Sequence, residues 1–205
     1  MKTALVFFAT AIVCLGLVTT VKAQKPAEVT LQNLQTAFNG ESNAHARYVA
    51  FAAKAEQEGY LQVANLFRAA AKAEEIHARN HEVEIKRLGG TAQAALETPA
   101  VKSTRENLGS AIAGETYERD VMYPGFYAQA RSAGDAGSVQ TFNYARSAET
   151  EHASLFAAAL NNLENMRAKG SQYFVCTVCG YTTTKIDFAK CHTCFSPKDK
   201  YVAVT

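Results

Sequence analysis

The chain has 205 residues, 48% of them hydrophobic, which is enough to bury one core together with a small second module. Its 21 basic and 19 acidic residues give a formal net charge of +2. A chain so nearly neutral lacks the basic surface that nucleic-acid binding requires, so we predict no nucleic-acid partner.

Residues 1–23 have the pattern of an export signal. Lys2 gives a positive start, residues 4–18 are almost continuously apolar, and residues 21–23 resemble a small-residue cleavage site. About 20 apolar residues are needed to span a bilayer, and this run is shorter, so we expect a cleaved signal rather than a membrane anchor. The sequence therefore predicts a periplasmic or otherwise exported protein that begins at Gln24 and has no membrane span after cleavage.

Residues 24–170 are predicted to form a helical domain. Apolar residues recur at helical spacing over residues 30–58 and 61–88, and glycines follow each run. Residues 91–102 contain Pro99 and no helical period, so we expect a crossover connection there. Two helical hairpins are therefore predicted.

The second hairpin is predicted to begin at a capping box. Ser103 and Glu106 have the required spacing, and we expect Pro124 to end or kink the helix that follows. A turn at residues 134–135 leads into a fourth helix with a regular apolar stripe, which is predicted to close at residues 169–170. The predicted domain is thus a four-helix bundle.

The two hairpins carry two copies of one pattern, a Glu followed by an E-x-x-H motif. The first copy has Glu41, Glu74 and His77, and the second has Glu115, Glu149 and His152. The separation between the first Glu and the motif is the same in the two copies to within a single position. Because positions i and i+3 share a face of a helix, each motif directs a carboxylate and an imidazole to one point.

Acidic residues within an apolar helical stripe are costly to bury unless they are neutralised or bind a cation. Any one of these Glu residues is better explained by a solvated helix face, but the whole set in duplicate order favours metal. Carboxylates with imidazoles suit iron or manganese, and four helices with this pattern match ferritin-like di-iron bundles. The predicted ligands are Glu41, Glu74, His77, Glu115, Glu118, Glu149 and His152.

Residues 171–205 are predicted to form a separate small module. They contain two C-x-x-C motifs, Cys176 with Cys179 and then Cys191 with Cys194. Two disulfides are the alternative for an exported protein, but a bridge within each motif would be strained and would crosslink little. Four thiolates on two short loops suit a tetrahedral iron or zinc ion.

With these motifs the chain resembles the rubrerythrins, non-haem iron peroxidases that join a ferritin-like di-iron bundle to a rubredoxin-like domain. The resemblance covers nearly all of the chain after the signal. It is carried by the segments AFNGES (37–42), EEIH (74–77), GETYE (114–118), MYP (122–124), AETEH (148–152), CGY (179–181) and SPK (196–198). His192 departs from the family, where the second knuckle usually carries proline, and this leaves a zinc-ribbon reading open.

The resemblance implies two irons in the bundle, with Glu74 and Glu149 as bridging ligands. It implies terminal ligation by Glu41, Glu115 and His152. Glu118 has no counterpart in the first copy, where the equivalent position is Ala44. In the family this additional carboxylate and the first E-x-x-H histidine exchange as ligands when one iron changes oxidation state, a role that maps to Glu118 and His77.

Other residues have weaker assignments. Tyr48 and Tyr123 resemble family tyrosines near the di-iron site, although an aromatic residue on a helix is equally explained by core packing. We interpret His45, His81 and Glu151 as neighbours of the site or surface groups rather than ligands.

The leading hypothesis is a peroxidase that reduces hydrogen peroxide to water, with electrons relayed through an iron in the four-cysteine site. The resemblance implies a homodimer in which the relay of one subunit serves the bundle of the other. The electron donor, NADH-linked or another carrier, is not identified by the sequence. The alternative is a ferroxidase or iron-handling protein with a structural zinc ribbon. The least specific hypothesis is a binding or scaffold module in which the ribbon is structural and the bundle metal is vestigial.

Overall fold

A computed structural model of the protein describes residues 25–168 and 172–205. The predicted signal, with Cys14, and the junction at 169–171 lie outside these residues. The described chain is mainly helical, as predicted, and its C-terminal part contains a small three-stranded sheet. No helix among the described residues is both long and apolar enough to cross a membrane.

The helical part is a four-helix bundle made of two hairpins. Its helices are α1 (Pro26–Gln57), α2 (Leu61–Arg87), α3 (Thr104–Tyr117), a π-helical turn (Glu118–Met122), α4 (Tyr123–Ser132) and α5 (Ala136–Asn161). Helix α1 begins earlier than predicted, with Pro26 in the first turn, where its missing N–H leaves no bond unmade. Gly59 and Gly89 follow α1 and α2 with φ of +81° and +82°, conformations that glycine adopts without strain.

The third predicted helix, which we expected to end or kink at Pro124, does not end there but is distorted into a π-helical turn just before the proline. It continues through the π-helical turn into α4, so that α3, the turn and α4 form one rod. Proline has no N–H to donate, and the carbonyl of Arg119 in the preceding turn instead accepts a hydrogen bond from Nε of Arg146 at 3.1 Å. The carbonyl that the proline cannot bond is therefore satisfied by a side chain of the neighbouring helix α5.

The π-helical turn also explains why the second copy of the repeat is slightly longer than the first. The stretch from Glu115 to the end of α4 has one position more than the stretch from Glu41 to the end of α1. The loops that follow are equal in length, and Glu74 and Glu149 occupy the same position in their returning helices. A turn that closes from i to i+5 holds the extra residue, and π turns of this kind are frequent at functional sites.

The bundle core is divided into two clusters with the acidic residues between them. On α1, Leu34 and Ala37 belong to one cluster and Ala44 and Tyr48 to the other, so Glu41 lies between them. The second cluster contains a group of packed rings, in which Phe67 lies 5.8 Å from Tyr48 and 5.1 Å from Phe156 between ring centroids. Apolar packing on both sides thus fixes the helices that carry the carboxylates.

The crossover is tied to α1 by asparagine side chains. Asn43 donates to the carbonyl of Ala95 at 3.0 Å and accepts from the N–H of Glu97 at 2.8 Å. Asn39 accepts from the N–H of Ala95 at 2.8 Å. These bonds satisfy backbone groups that have no partner in a helix or sheet.

The C-terminal part is a three-stranded antiparallel sheet in the order β2-β1-β3. Its strands are β1 (Tyr173–Cys176), β2 (Thr182–Thr183) and β3 (Tyr201–Val204). Strand β1 ends at Cys176, and the turn to β2 contains Cys179, so the sheet holds the first C-x-x-C motif in place. Cys191 and Cys194 lie in the loop between β2 and β3.

We expect Phe67→Ala to lower the free energy of unfolding by about 3–5 kcal/mol, because it leaves a cavity among packed rings. Val83→Ala is the control: Val83 is 58% exposed, and its truncation is expected to cost about 0.5 kcal/mol or less. Chemical denaturation of both variants at equal metal content measures the difference. Equal destabilisation by the two changes would contradict this account of the core.

Candidate di-metal site and tetrathiolate site

The six buried side chains of the duplicated pattern converge in two groups of four ligands. One group is Glu41, Glu74, His77 and Glu149, and the other is Glu74, Glu115, Glu149 and His152. Within each group, the candidate ligand atoms all lie within 4.8 Å of one another. Glu74 and Glu149 belong to both groups, which is the arrangement expected of bridging carboxylates.

The cluster has the unsatisfied atoms that a cation would satisfy. Buried oxygens without a hydrogen-bond partner are found on Glu41, Glu74, Glu115 and Glu149, and Nδ1 of His152 makes no hydrogen bond either. Buried polar groups are nearly always hydrogen-bonded, so a convergent set of exceptions calls for a ligand. The donor set is oxygen-rich with one imidazole per group, which fits iron or manganese.

The electrostatics of the metal-free cluster lead to the same conclusion. Burial and the neighbouring carboxylates Glu74 and Glu149 raise the pKa of Glu115 to about 8. Burial and the adjacent carboxylates likewise raise the pKa of Glu41. For Glu74 the penalty of burial is outweighed by His152 and His77, which bring its pKa down to about 2. Without a cation, therefore, the carboxylates cannot all ionise together.

Both histidines present the same nitrogen to the cluster. Nδ1 of His77 lies 2.8 Å from Glu74 Oε2 and 3.1 Å from Glu149 Oε1, and Nδ1 of His152 lies 2.9 Å from Glu149 Oε2. The Nε2 atoms point away, to the carbonyl of Cys179 at 3.1 Å and to Oγ1 of Thr182 at 2.9 Å. An N–H donated at Nε2 leaves Nδ1 free as a metal ligand, and such outer partners commonly fix a ligating histidine.

Glu118 lies outside both groups of four. It is the first residue of the π-helical turn and lines a cavity of about 550 Å³ between α1 and the α3–α4 rod, together with Gly40 and Arg47. A Cβ on Gly40 would lie 3.9 Å from Glu118 Oε1, so the carboxylate is next to the helix that carries Glu41. Burial and the carboxylates of the cluster raise the pKa of Glu118, and Arg47 opposes this rise.

The two predicted tyrosines are fully buried beside the cluster. Tyr48 donates to Oε1 of Glu115, and Tyr123 donates to Oε1 of Glu41. Each therefore orients the first Glu of the opposite repeat and leaves the other oxygen of that carboxylate without a hydrogen-bond partner. Burial and these carboxylates raise the pKa of both tyrosines, so both hydroxyls stay protonated and act as donors.

The four cysteines are free thiols gathered at one point. Sγ of Cys176 lies 3.6 Å from Sγ of Cys194, and Sγ of Cys179 lies 3.6 Å from Sγ of Cys191. A metal–sulfur bond of about 2.3 Å in a tetrahedron places neighbouring sulfurs about 3.8 Å apart. Hydrogen bonds from Cys179 Sγ and from backbone N–H groups lower the pKa of Cys176 to about 5, which favours the thiolate. The arrangement fits iron or zinc and not the alternative of two disulfides.

The module that carries the cysteines lies on the bundle, with its first knuckle against α2. Arg79 donates to the carbonyl of Thr177 at 2.8 Å, and Asn80 donates to the carbonyl of Val178 at 2.9 Å. Gly180 has φ of +80°, and a Cβ there would overlap the His77 ring. Within the single chain the module thus lies against its own bundle.

Two functional residues were not predicted from the sequence. Thr182 accepts from His152 and itself donates to the carbonyl of Gly180 at 3.1 Å, and Arg47 lies beside Glu118 in the cavity. Neither residue belongs to a motif. The only signal in the sequence is their position, since Arg47 lies after Glu41 on the same helix and Thr182 lies just after the first C-x-x-C motif. His45 bonds the carbonyl of Ala71 at 2.8 Å and His192 is exposed, so neither belongs to a ligand group.

We expect Gly180→Ala to weaken metal binding in the bundle by about 10- to 100-fold, the range typical of lost outer-shell contacts. The added methyl group would displace either His77 or the Cys179 carbonyl. Gly109→Ala, at a helical position with open space around it, is the matched control. Anaerobic titration with ferrous iron measures the affinity, and equal affinities for the two variants would contradict the contact.

The stability of the metal-free protein is expected to fall as pH rises from about 6 to about 8. Glu115, His77 and His152 have raised pKa values, so the folded state holds protons that the unfolded state releases. Their contribution is fully present below the unfolded pKa values, about 4.3 for Glu and about 6.5 for His, and is lost as pH rises through the folded values. Glu74 has a lowered pKa and acts in the opposite direction, but it is already ionised in both states over this range.

Thermal unfolding at several pH values checks this expectation, with the metal-loaded protein as the control. A bound cation replaces the retained protons, so the loaded protein is expected not to lose stability over this range. Equal pH dependence in the two forms would show that the cluster is not the cause.

Comparisons with known proteins agree with this geometry. A sequence model of the rubrerythrin family matches residues 32–160. Nigerythrin of Nitratidesulfovibrio vulgaris is 38% identical over 175 residues, which are 85% of this chain and 86% of that protein. Rubrerythrin-2 of Clostridium acetobutylicum is 36% identical over 177 residues, covering 85% and 96% of the two chains.

Solved structures give the same result. A structure of nigerythrin in its fully reduced, all-ferrous state has a TM-score of 0.80 and 36% identity, and covers 91% of this chain and 90% of its own. The bacterioferritin of Desulfovibrio desulfuricans has a TM-score of 0.64 at 20% identity over 69% of this chain and 84% of its own, a likeness of fold alone. The predicted fold, a ferritin-like bundle with a rubredoxin-like four-cysteine module, is confirmed. With a family match over more than half of its length, this chain belongs to the rubrerythrin family.

Proposed function

We propose that the protein is a peroxidase that reduces hydrogen peroxide to water with electrons relayed through the four-cysteine site. The observation that carries the proposal is the hydrogen bond from His77 Nε2 to the carbonyl of Cys179, 3.1 Å long. It joins a candidate ligand of the bundle to a candidate ligand of the tetrathiolate site. A scaffold or a storage protein has no need of such a contact.

Iron at these sites would supply the redox chemistry, since two ferrous ions hold the two electrons that turn H₂O₂ and two protons into two waters, and a tetrathiolate iron returns electrons singly. The residues that would hold the pair are Glu41, Glu74, Glu115, Glu149, His77 and His152. Cys176, Cys179, Cys191 and Cys194 would hold the single ion.

We propose that a small oxidant enters through the cavity beside Glu118. That cavity lies against the helix that carries Glu41, and the clustered ligand side chains themselves are buried. Tyr48 and Tyr123 keep the terminal carboxylates oriented by donating to one oxygen of each. Fixed donors of this kind cost no reorganisation when charge develops in the site.

Glu118 and His77 are proposed to exchange as ligands. His77 lies within a group of four and Glu118 outside it, next to the cavity. An anionic carboxylate favours ferric iron and a neutral imidazole favours ferrous iron, so the described arrangement has the ligand set that suits the reduced state.

The ferroxidase alternative requires no electron relay. It would use oxygen to oxidise ferrous iron, and zinc in the four-cysteine site would make the module structural, since zinc has no redox chemistry. The direct contact between His77 and Cys179 favours the peroxidase, because a structural ribbon could cover the bundle without joining ligand to ligand.

We also propose the compartment, the type of electron donor and the oligomeric state. The signal-like residues 1–23 support export to a periplasm-like compartment, where the donor would be a periplasmic or membrane-linked carrier rather than NADH directly. A homodimer is proposed from the family resemblance. In such a dimer, two copies could exchange modules and form the same contact between subunits.

An anaerobic experiment tests the peroxidase. The protein is fully reduced, one equivalent of hydrogen peroxide is added per di-metal site, and the visible absorption of a ferric tetrathiolate centre is followed. We expect the colour to return rapidly, because electrons pass from the cysteine site to peroxide through the bundle. No colour in either state would place zinc or no ion in that site and would favour the ferroxidase.

A substitution tests the exchange. Glu118→Gln is expected to slow peroxide turnover by about 10- to 100-fold, because the neutral amide is a poor ligand for ferric iron. Glu75→Gln is the control, since Glu75 lies on the exposed face of α2 in an ion pair with Lys72. Unchanged turnover in Glu118→Gln would exclude the ligand role.

A further inference from the structure

His81 is a buried histidine that neither metal site uses. It lies one turn after His77, is 0% exposed, and has a polar partner at each ring nitrogen. Nε2 lies 3.1 Å from the hydroxyl of Tyr123, and Nδ1 lies 3.0 Å from Oγ1 of Thr141. Burial lowers the pKa of His81 to about 3, so the ring is neutral, with one N–H and one accepting nitrogen.

The neighbouring donors fix which nitrogen carries the proton. The single hydroxyl proton of Tyr123 is donated to Oε1 of Glu41, so the tyrosine oxygen can only accept from His81. The ring proton is therefore on Nε2, and Nδ1 accepts from the hydroxyl of Thr141. Every donor in this row points toward Glu41, the terminal carboxylate of one metal position.

The far end of the row reaches a cavity. Thr141 is 5% exposed and lines a cavity of about 240 Å³ formed by α2, α5 and the knuckle residue Val178. Glu84 also lines it, and its carboxylate occupies the space where a Cβ on Gly137 would lie. This cavity shares no lining residue with the one beside Glu118.

The internal repeat shows that this row belongs to one half of the site. One turn after His152 the chain has Phe156 where the first copy has His81, and two turns before Glu74 it has Leu66 where the second copy has Thr141. Tyr48, the counterpart of Tyr123, has the rings of Phe67 and Phe156 about it instead. In the other half, apolar residues at the equivalent positions are enough to pack the core, so packing by itself does not require the polar residues His81 and Thr141.

We propose that Thr141, His81 and Tyr123 form a proton path from this second cavity to the di-metal site. The inference rests on the proposed peroxidase, which consumes two protons for each peroxide. In each transfer the Tyr123 proton passes to the Glu41 side, the Nε2 proton of His81 passes to the Tyr123 oxygen, and the Thr141 proton passes to Nδ1. Water in the cavity reprotonates Thr141. His81 returns to its starting tautomer by exchange with that water, which takes the proton from Nδ1 and supplies one to Nε2, and the two hydroxyls turn back about their C–O bonds, so the net change is one proton moved inward.

The first test does not depend on activity. Nitrogen-15 NMR of histidine-labelled, zinc-loaded protein reports which ring nitrogen of His81 carries the proton and how fast that proton exchanges with water. We expect the proton on Nε2, and we expect Thr141→Val to slow its exchange by about tenfold or more, because the variant keeps the shape of the side chain and removes the hydroxyl. Thr150→Val is the matched control on α5, since Thr150 bonds only the carbonyl of Arg146 in its own helix.

The second test follows the reaction of the reduced, iron-loaded protein with peroxide. His81→Phe, which copies the residue at position 156, and Thr141→Val are each expected to slow oxidation by about 100-fold, whereas Thr141→Ser restores the hydroxyl and the rate. The affinity of the di-metal site for ferrous iron is expected to stay unchanged in Thr141→Val. This measurement separates proton delivery from metal loading.

The outcomes separate the two proposals. A ring proton on Nδ1, or wild-type exchange and oxidation rates in Thr141→Val, would overturn the proton path. If exchange slows in Thr141→Val while the wild-type protein does not react with peroxide, the path stands and the peroxidase is wrong.

Discussion

The burial of several carboxylates at one point is the constraint on which this structure depends. Four glutamates with unpartnered oxygens meet in the middle of an apolar bundle, where their mutual repulsion and the loss of solvation would oppose folding. Cations remove both costs. The aromatic and aliphatic clusters on either side of the acids then have a clear role, because they hold the helices rigid enough for the ligands to converge.

The two half-sites have the same types of candidate ligand but differ in the residues around them. Each copy supplies a Glu that belongs to one ligand group, a Glu that belongs to both groups and a histidine, and each supplies a tyrosine that donates to the first Glu of the other copy. The differences are local: Glu118 enters with a π-helical turn in the second copy, and His81 replaces an aromatic residue in the first. The proposed access for an oxidant and the proposed proton path thus lie at separate cavities.

The four-cysteine module lies against the bundle site and also supplies hydrogen-bond partners to its two histidines. The carbonyl of Cys179 and the hydroxyl of Thr182 hold the outer nitrogens of the two histidines, so docking of the module selects the tautomer that leaves Nδ1 for metal. The glycine after Cys179 is required for this contact, because its positive φ and missing side chain let the knuckle approach the His77 ring. Metal binding in the bundle and docking of the module are therefore expected to be coupled.

The sequence by itself determined the helices, the ligand types and the two metal-binding motifs. Helical periodicity and glycine stops are local signals, and E-x-x-H and C-x-x-C encode their geometry within a single turn or knuckle. It did not decide between a helix that ends at Pro124 and one that continues past it, because the compensating bond comes from Arg146, far along the chain. Only the tertiary structure decided which of the inward acids come together in each group of four candidate ligands, and that Glu118 lies apart at a cavity. It alone also gave His81 its partners, because hydrogen bonds between residues far apart in the chain follow from packing and leave no pattern in the sequence.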